Sequence, residues 1–223
     1  MEALRDMAKA PDTRCRLCLV TPPAYEAETF APRLAAALSG GDVASLIITA
    51  PGADPATFGR AAETFVPIAA GRGVAALIHN DTRIAGRASA DGVHIDGGLE
   101  AVETALASFK GRRIVGAGGI ASRHEAMEIG ATDVDYLFFG RLDGDRDPEI
   151  FGKALELAAW WSDVTIVPAI VMGGRSLTSV RTAAENGIEF VALSAAVWDD
   201  PRGPGAAVAE AATLLATRAE TAA

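Results

Sequence analysis

The stretch that decides the fold is Val74-Ala75-Ala76-Leu77-Ile78-His79, an apolar run of strand length that ends on a polar side chain. It shows no alternation of apolar and polar residues, and neither do Leu46-Ile47-Ile48 or Ala169-Ile170-Val171. A strand without alternation is buried on both faces, which is the condition of a parallel sheet covered by helices. Outward from residue 74 the same unit repeats. The spacing predicts strands over Cys15–Thr21, Val43–Thr49, Val74–His79, Gly92–Ile95, Arg113–Ala117, Val134–Phe139, Thr165–Val171 and Phe190–Leu193. Helical spacing falls between them, over Ala27–Leu38, Pro55–Ala70, Arg83–Ala88, Leu99–Phe109, Ser122–Ile129, Glu149–Trp161 and Ser176–Glu185, with a last helix from about Ala206 to Arg218.

Parallel neighbours need right-handed crossover helices. Eight such units in a chain of 223 residues fit an α/β fold, a single (β/α)8 TIM barrel. An open doubly wound sheet is the alternative. It often begins with a glycine-rich turn after its first strand, whereas here that strand runs into Thr21-Pro22-Pro23. The expected organisation is a flexible N-terminal leader over residues 1–12 and one barrel domain over residues 13–223.

Composition narrows the function classes. Half of the residues are hydrophobic and net charge is −9. The basic residues are scattered, which argues against a nucleic-acid partner, since phosphate backbones call for clustered Lys and Arg. The same balance argues against an anionic membrane surface. Met1 to Pro11 mixes Glu2, Arg5, Asp6 and Lys9 and resembles neither a signal peptide nor a membrane span, so the expected compartment is cytoplasmic. Cys15 and Cys18 lie three apart on a strand and point to opposite faces, which suits two reduced structural thiols rather than a redox or zinc pair.

In such a barrel the chemistry sits at the C-terminal ends of the strands. Strand seven runs into Gly173-Gly174-Arg175-Ser176, and strand eight into Ser194-Ala195-Ala196 and a short helical turn. Glycines admit close backbone approach, and loop and helix-start N–H groups suit phosphate oxygens. The competing reading is a pair of tight packing turns. After strand three, His79-Asn80-Asp81 faces the mouth. Asp81 can serve as a Mg2+ ligand or as a helix N-cap. His94 falls inside strand four and reads as a satisfied barrel histidine. Asp96, just past the strand, can share a metal with Asp81 or be a simple turn residue. The loop Gly140-Arg141-Leu142-Asp143-Gly144-Asp145-Arg146-Asp147 places Arg141 and Arg146 where they can close over an anion, or simply be solvated. Gly116-Ala117-Gly118-Gly119 permits close backbone approach but is no Walker motif.

Taken in order, these pieces resemble the thiamine phosphate synthase family, which includes a thiazole tautomerase branch. The resemblance spans about Cys15 to Trp198 and rests on Leu77-Ile78-His79-Asn80-Asp81-Thr82-Arg83, Ala90-Asp91-Gly92-Val93-His94-Ile95, Val167 to Gly174 and Phe190 to Ala195. It implies transfer of a pyrimidine methylene from pyrophosphate to the nitrogen of a thiazole phosphate, giving thiamine phosphate and pyrophosphate. It implies Mg2+ as cofactor, Asp81 as a metal ligand and Asn80 on the pyrimidine pyrophosphate; the family's second metal carboxylate would fall near Leu99, where only Asp96 stands nearby. Gly173, Gly174, Ser194 and the Ala195 backbone would hold the thiazole phosphate. Partners are then small phosphorylated heterocycles, and barrels of this size often pair, so a homodimer is one expectation.

The chain departs from the family pattern in places. The charged pyrophosphate-gripping run after strand two reads Ile48-Thr49-Ala50-Pro51-Gly52, and a lysine position after strand six reads Pro148. The catalytic grip on pyrophosphate is then expected from Arg141 and Arg146. The tautomerase histidine has no counterpart, where Ile120 and Ala121 stand. Two other readings remain open at this point. One is a non-catalytic phosphate-ligand-binding or regulatory barrel of the same family. The other is a phosphometabolite isomerase using His79, His94 or Asp96 for acid–base chemistry.

Overall fold

The computed structural model describes residues 15–109 and 111–219, so the expected leader at residues 1–12 lies outside the described residues. Eight parallel strands close on themselves in chain order: β1 Arg16–Val20, β2 Val43–Ile48, β3 Ala75–His79, β4 Gly92–Ile95, β5 Ile114–Ala117, β6 Tyr136–Phe139, β7 Ala169–Met172 and β8 Phe190–Leu193. Closure is made by β1 against β8, with Leu17 beside Val191 and Cys18 beside Ala192. The helices are α1 Ala27–Leu38, α2 Pro55–Ala70, α3 Thr82–Arg87, α4 Leu99–Phe109, α5 Arg123–Gly130, α6 Gly152–Val164, α7 Ser179–Glu185, α8 Ala195–Trp198 and α9 Pro204–Ala219. The expected (β/α)8 barrel is the observed one.

The unbroken apolar strands divide their side chains between two cores, as residues that alternate in direction must. One cluster lies between strands and helices and includes Leu19, Leu46, Ile48, Ala76 and Ile78. The other fills the barrel with Cys18, Val20, Ile47, Leu77, Phe138, Ile170 and Met172. Cys15 belongs to the outer cluster and Cys18 to the inner one, and both thiols are buried. Among the described residues no helix is long and apolar enough to cross a membrane.

Acidic residues ahead of the even strands tie the bottom of the barrel. Asp91 accepts from the Ala76 N–H at 2.8 Å, Asp135 from Val115 at 2.8 Å and Glu189 from Ala169 at 3.0 Å. Each satisfies an amide of the preceding odd strand. Asp42 holds the fourth such position, taking the Arg16 guanidinium at 2.9 Å.

Several boundaries differ from expectation by one to four residues, three of them around β7. β7 begins at Ala169, not Thr165, because Thr165 continues the end of α6, its N–H donating to the Trp161 carbonyl, and Ile166 is fully solvated. α6 begins at Gly152 rather than Glu149, and α7 at Ser179 rather than Ser176. The Pro148 carbonyl, which an earlier α6 start would use, takes the Ser176 N–H at 3.1 Å instead, and α7 is preceded by a tighter turn in which the Ser179 and Val180 N–H groups donate three residues back.

Candidate active site at the barrel mouth

Two side-chain constellations form on opposite sides of the mouth. The first grows from β3 and β4, which pair His79 with His94. Asp96, two residues beyond His94, places its carboxylate between the two imidazoles. Its Oδ2 lies 2.9 Å from His79 Nε2 and its Oδ1 lies 3.0 Å from His94 Nε2. Behind them, Tyr136 Oη is 2.9 Å from His94 Nδ1, and Thr49 Oγ1 is 3.2 Å from His79 Nδ1. A carboxylate accepts only, so His79 Nε2 donates to Asp96, while His94 Nε2 stands 3.0 Å from the other oxygen without hydrogen-bond alignment. The chain Thr49–His79–Asp96–His94–Tyr136 is continuous in contact, with one gap in its hydrogen bonding at the buried His94 Nε2. His94 is fully buried, as expected of a barrel histidine, while His79 and Asp96 remain partly open to the mouth.

Burial works against the ionised form of Asp96, but the contacts from His79 and His94 and their charges outweigh it and hold the carboxyl well below the usual carboxylate range. Asn80 holds Asp96 from the side. It sits at φ 55°, a left-handed conformation that Asn tolerates. Its Oδ1 accepts from the Asp96 N–H at 2.8 Å, and this is the bond that fixes Asp96; the Asn80 amide nitrogen beside His79 Nε2 is a donor facing a donor.

Asp81 caps α3, its Oδ1 accepting from the Ile84 N–H at 2.7 Å. Among the described residues its other oxygen takes part in no hydrogen bond, so capping leaves half of the carboxylate available. Asp96 has no such reserve, since both oxygens face imidazoles. Among the described residues no group of three or more His, Cys, Asp or Glu side chains is arranged to hold a metal.

The second constellation joins the loops after β6, β7 and β8. The expected phosphate donors are already in use. The Gly173 N–H donates to the Ala192 carbonyl at 2.8 Å and the Gly174 N–H to Ser179 Oγ at 3.0 Å. The Ala195 N–H, at the start of α8, donates to the Asp145 carboxylate. Ser194 is buried but does not cap α8 with its own side chain; Asp145 does so from fifty residues upstream. Burial pushes the Asp145 carboxyl up, with the Ala195 N–H and Arg175 pulling the other way. Arg141 and Arg146 are brought together on Asp143, at 2.9 and 3.0 Å. Both line a cleft of about 520 Å³ that also includes Ile120, Phe151, Lys153 and Met172.

The glycine run after β5 does admit a close approach, but of the protein's own side chains. A Cβ on Gly116 would stand 1.9 Å from the Tyr136 ring, and one on Gly118 would stand 2.4 Å from Asp96 Oδ1. Sequence reasoning missed Thr49, Tyr136 and Asp145. The only signal for the first two is their inward register; for Asp145 it is a carboxylate in a loop opposite an anion cradle.

The comparisons with known proteins agree with the barrel. The family model for thiamine monophosphate synthase matches residues 17–197. A thiamine-phosphate synthase of Rhodospirillum centenum is 36% identical over 206 residues, which cover 89% of this chain and 96% of that one. One from Hyphomonas neptunium is 33% identical, covering 89% and 92%. The solved thiamine phosphate pyrophosphorylase from Pyrococcus furiosus superposes with a TM-score of 0.75 at 20% identity, covering 91% of this chain and 96% of that one, which bears on the fold alone. The chain belongs to the thiamine monophosphate synthase family.

Proposed function

We propose that this protein is a thiamine-phosphate synthase, joining hydroxymethylpyrimidine pyrophosphate to thiazole phosphate and releasing pyrophosphate. The observation that carries the reading is the match to a relative of that name along nearly its whole length. The bond from the pyrimidine methylene to the pyrophosphate oxygen breaks, the thiazole nitrogen lone pair forms the new C–N bond, and the electron pair leaves with pyrophosphate. The demand on the protein is to hold two anionic ligands in line and to stabilise charge on the leaving group.

Asp81 fits the role of Mg2+ ligand. It offers one oxygen, and Mg2+ takes one or two carboxylates with water and substrate phosphate completing its shell. When bound there, the ion would supply charge neutralisation of the leaving pyrophosphate. Asp96 can reach a cation only by leaving its imidazoles, so in this reading it is the weaker of the two ligands. Arg141 and Arg146 replace the missing charges after β2 by swinging from Asp143 to pyrophosphate. Asn80 contacts the pyrimidine pyrophosphate from the β3 side. Gly173, Gly174, Ser194 and Ala195 receive the thiazole phosphate. The reaction is placed in the cytoplasm, with small phosphorylated heterocycles as ligands and a homodimer as the assembly to check by light scattering.

The test is product formation. Purified protein with both substrates and Mg2+ should form thiamine phosphate, and Asp81→Asn should lower turnover by orders of magnitude. Binding of thiazole phosphate without any product would favour a non-catalytic ligand-binding barrel. A second catalytic reading, proton transfer on another phosphorylated metabolite, is favoured by the partly open His79–Asp96 pair, an oriented acid–base group. Its mark would be exchange of a substrate carbon-bound proton with solvent, lost in His79→Gln.

A further inference from the structure

We infer that Asp145 is a built-in competitor for the phosphate of the thiazole ligand, so that ligand binding and release of the loop after β6 are a single exchange step. The inference rests on the reading of the β7–β8 loops as the thiazole-phosphate cradle. The contacts that carry it all run from one loop to one cradle. The Asp145 carboxylate takes the Ala195 N–H, the Asp147 carbonyl takes the Arg175 N–H at 2.7 Å, and the Pro148 carbonyl takes the Ser176 N–H at 3.1 Å. The approach is tight enough that a Cβ on Gly174 would stand 2.1 Å from the Pro148 oxygen. Residues 145, 147 and 148 thus present three oxygens, one of them anionic, to three N–H groups of the β7 and β8 loops.

A carboxylate with two oxygens and one charge is a poor copy of a phosphate with three free oxygens and nearly two charges. Asp145 is nonetheless buried, so its place cannot be shared with an incoming oxyanion. A ligand phosphate that takes the Ala195 N–H must put the Asp145 charge elsewhere, and the shortest route is outward with Arg141 and Arg146, which flank it in sequence. The exchange also sets specificity. A dianionic phosphate outcompetes the internal carboxylate, whereas a neutral thiazole alcohol gains nothing by displacing it.

Calorimetry on the unsubstituted protein, on Asp145→Asn and on Asp145→Ala, tests this with thiazole phosphate and with the dephosphorylated thiazole alcohol. Removing a competitor that holds the cradle closed should tighten binding of the phosphate by about tenfold or more, with Asp145→Asn between, since apparent affinity scales with the competent fraction. Binding of the alcohol should not change. In the unsubstituted protein, thiazole phosphate or inorganic phosphate should speed tryptic cleavage after Arg141 and Arg146. Equal or weaker phosphate binding in both variants would overturn the inference and leave the proposed function standing. If thiazole phosphate binds none of the three proteins, the proposed function fails instead. Inorganic phosphate then decides alone: tighter binding to Asp145→Ala sustains the exchange, and equal or absent binding overturns it.

Discussion

Gly116 and Tyr136 lie side by side in the register of β5 and β6, so close that a methyl group on residue 116 would penetrate the tyrosine ring. The absence of a side chain on one strand is what lets the aromatic ring of the next cross the barrel to His94. Gly116→Ala should therefore cost about 1–3 kcal/mol by overpacking, or more if the ring cannot turn aside. Urea unfolding should show a lower midpoint at unchanged slope. An unaltered midpoint would mean that Tyr136 has room the packing denies it.

The carboxylate between the two imidazoles gives a pH prediction with a definite sign. The folded protein holds Asp96 ionised well below the range of a free aspartate. Its contribution is then fully present above the unfolded value of about 4 and is lost as pH falls through the lower folded value. Asp96→Asn should be less stable at pH 7 by about 1–2 kcal/mol, allowing for partial exposure. The gap should narrow as pH is lowered from 4 to 3. A gap that stays constant down to pH 3 would remove the charge from this account.

The fold was readable from the strands because burial on both faces leaves an unmistakable apolar run, and Gly92–Ile95 and Phe190–Leu193 have the expected ends. The site was half readable. His79, Asn80, Asp81 and Asp96 stand out because each follows an apolar strand with a polar side chain. Tyr136 does not, since it opens an apolar strand and its hydroxyl finds His94 only through the register of three strands. Thr49, just past β2, meets His79 likewise only across the neighbouring strand. The late start of α6 was hidden because the Pro148 carbonyl is engaged by the Ser176 N–H, far away in the chain.

Top and bottom of the barrel should separate stability from function. Asp135 accepts an amide hydrogen bond at the bottom, away from the mouth. Asp135→Ala leaves the Val115 N–H without that acceptor, and a lost hydrogen bond to a charged group costs about 1.5–3 kcal/mol. Thermal unfolding should shift down while kcat for thiamine phosphate formation, measured well below the transition, stays within a factor of about two, as bottom-face residues serve stability.

Asp81 has two duties that substitutions can pull apart. Asn caps a helix about as well as Asp, and Ala does not, at a difference of about 1 kcal/mol. Asp81→Asn should keep the unfolding midpoint and lose turnover, because a neutral amide is a poor Mg2+ ligand. Asp81→Ala should lose both. If Asp81→Asn retains full turnover with undiminished Mg2+ dependence, the carboxylate is a cap only.

The two thiols make a last prediction about the interior. Burial pushes the Cys18 thiol up to about 12, against the smaller opposing pull of the Ser45 hydroxyl beside it and the Arg16 charge. The thiolate is the reactive form, so at pH 8 only about one Cys18 in ten thousand is ionised even when a reagent can reach it. Its position inside the barrel denies that reach as well. Iodoacetamide at pH 8 should leave Cys18 unmodified in the folded protein and alkylate it promptly in urea, as read by mass spectrometry of the peptides. Cys15, buried against the helices, should be slow in the folded protein too, and the pair should never be recovered as a disulfide, because the strand turns the two side chains to opposite faces. Rapid labelling of Cys18 in the native state would mean that β1 opens from β8, the pair that closes the barrel.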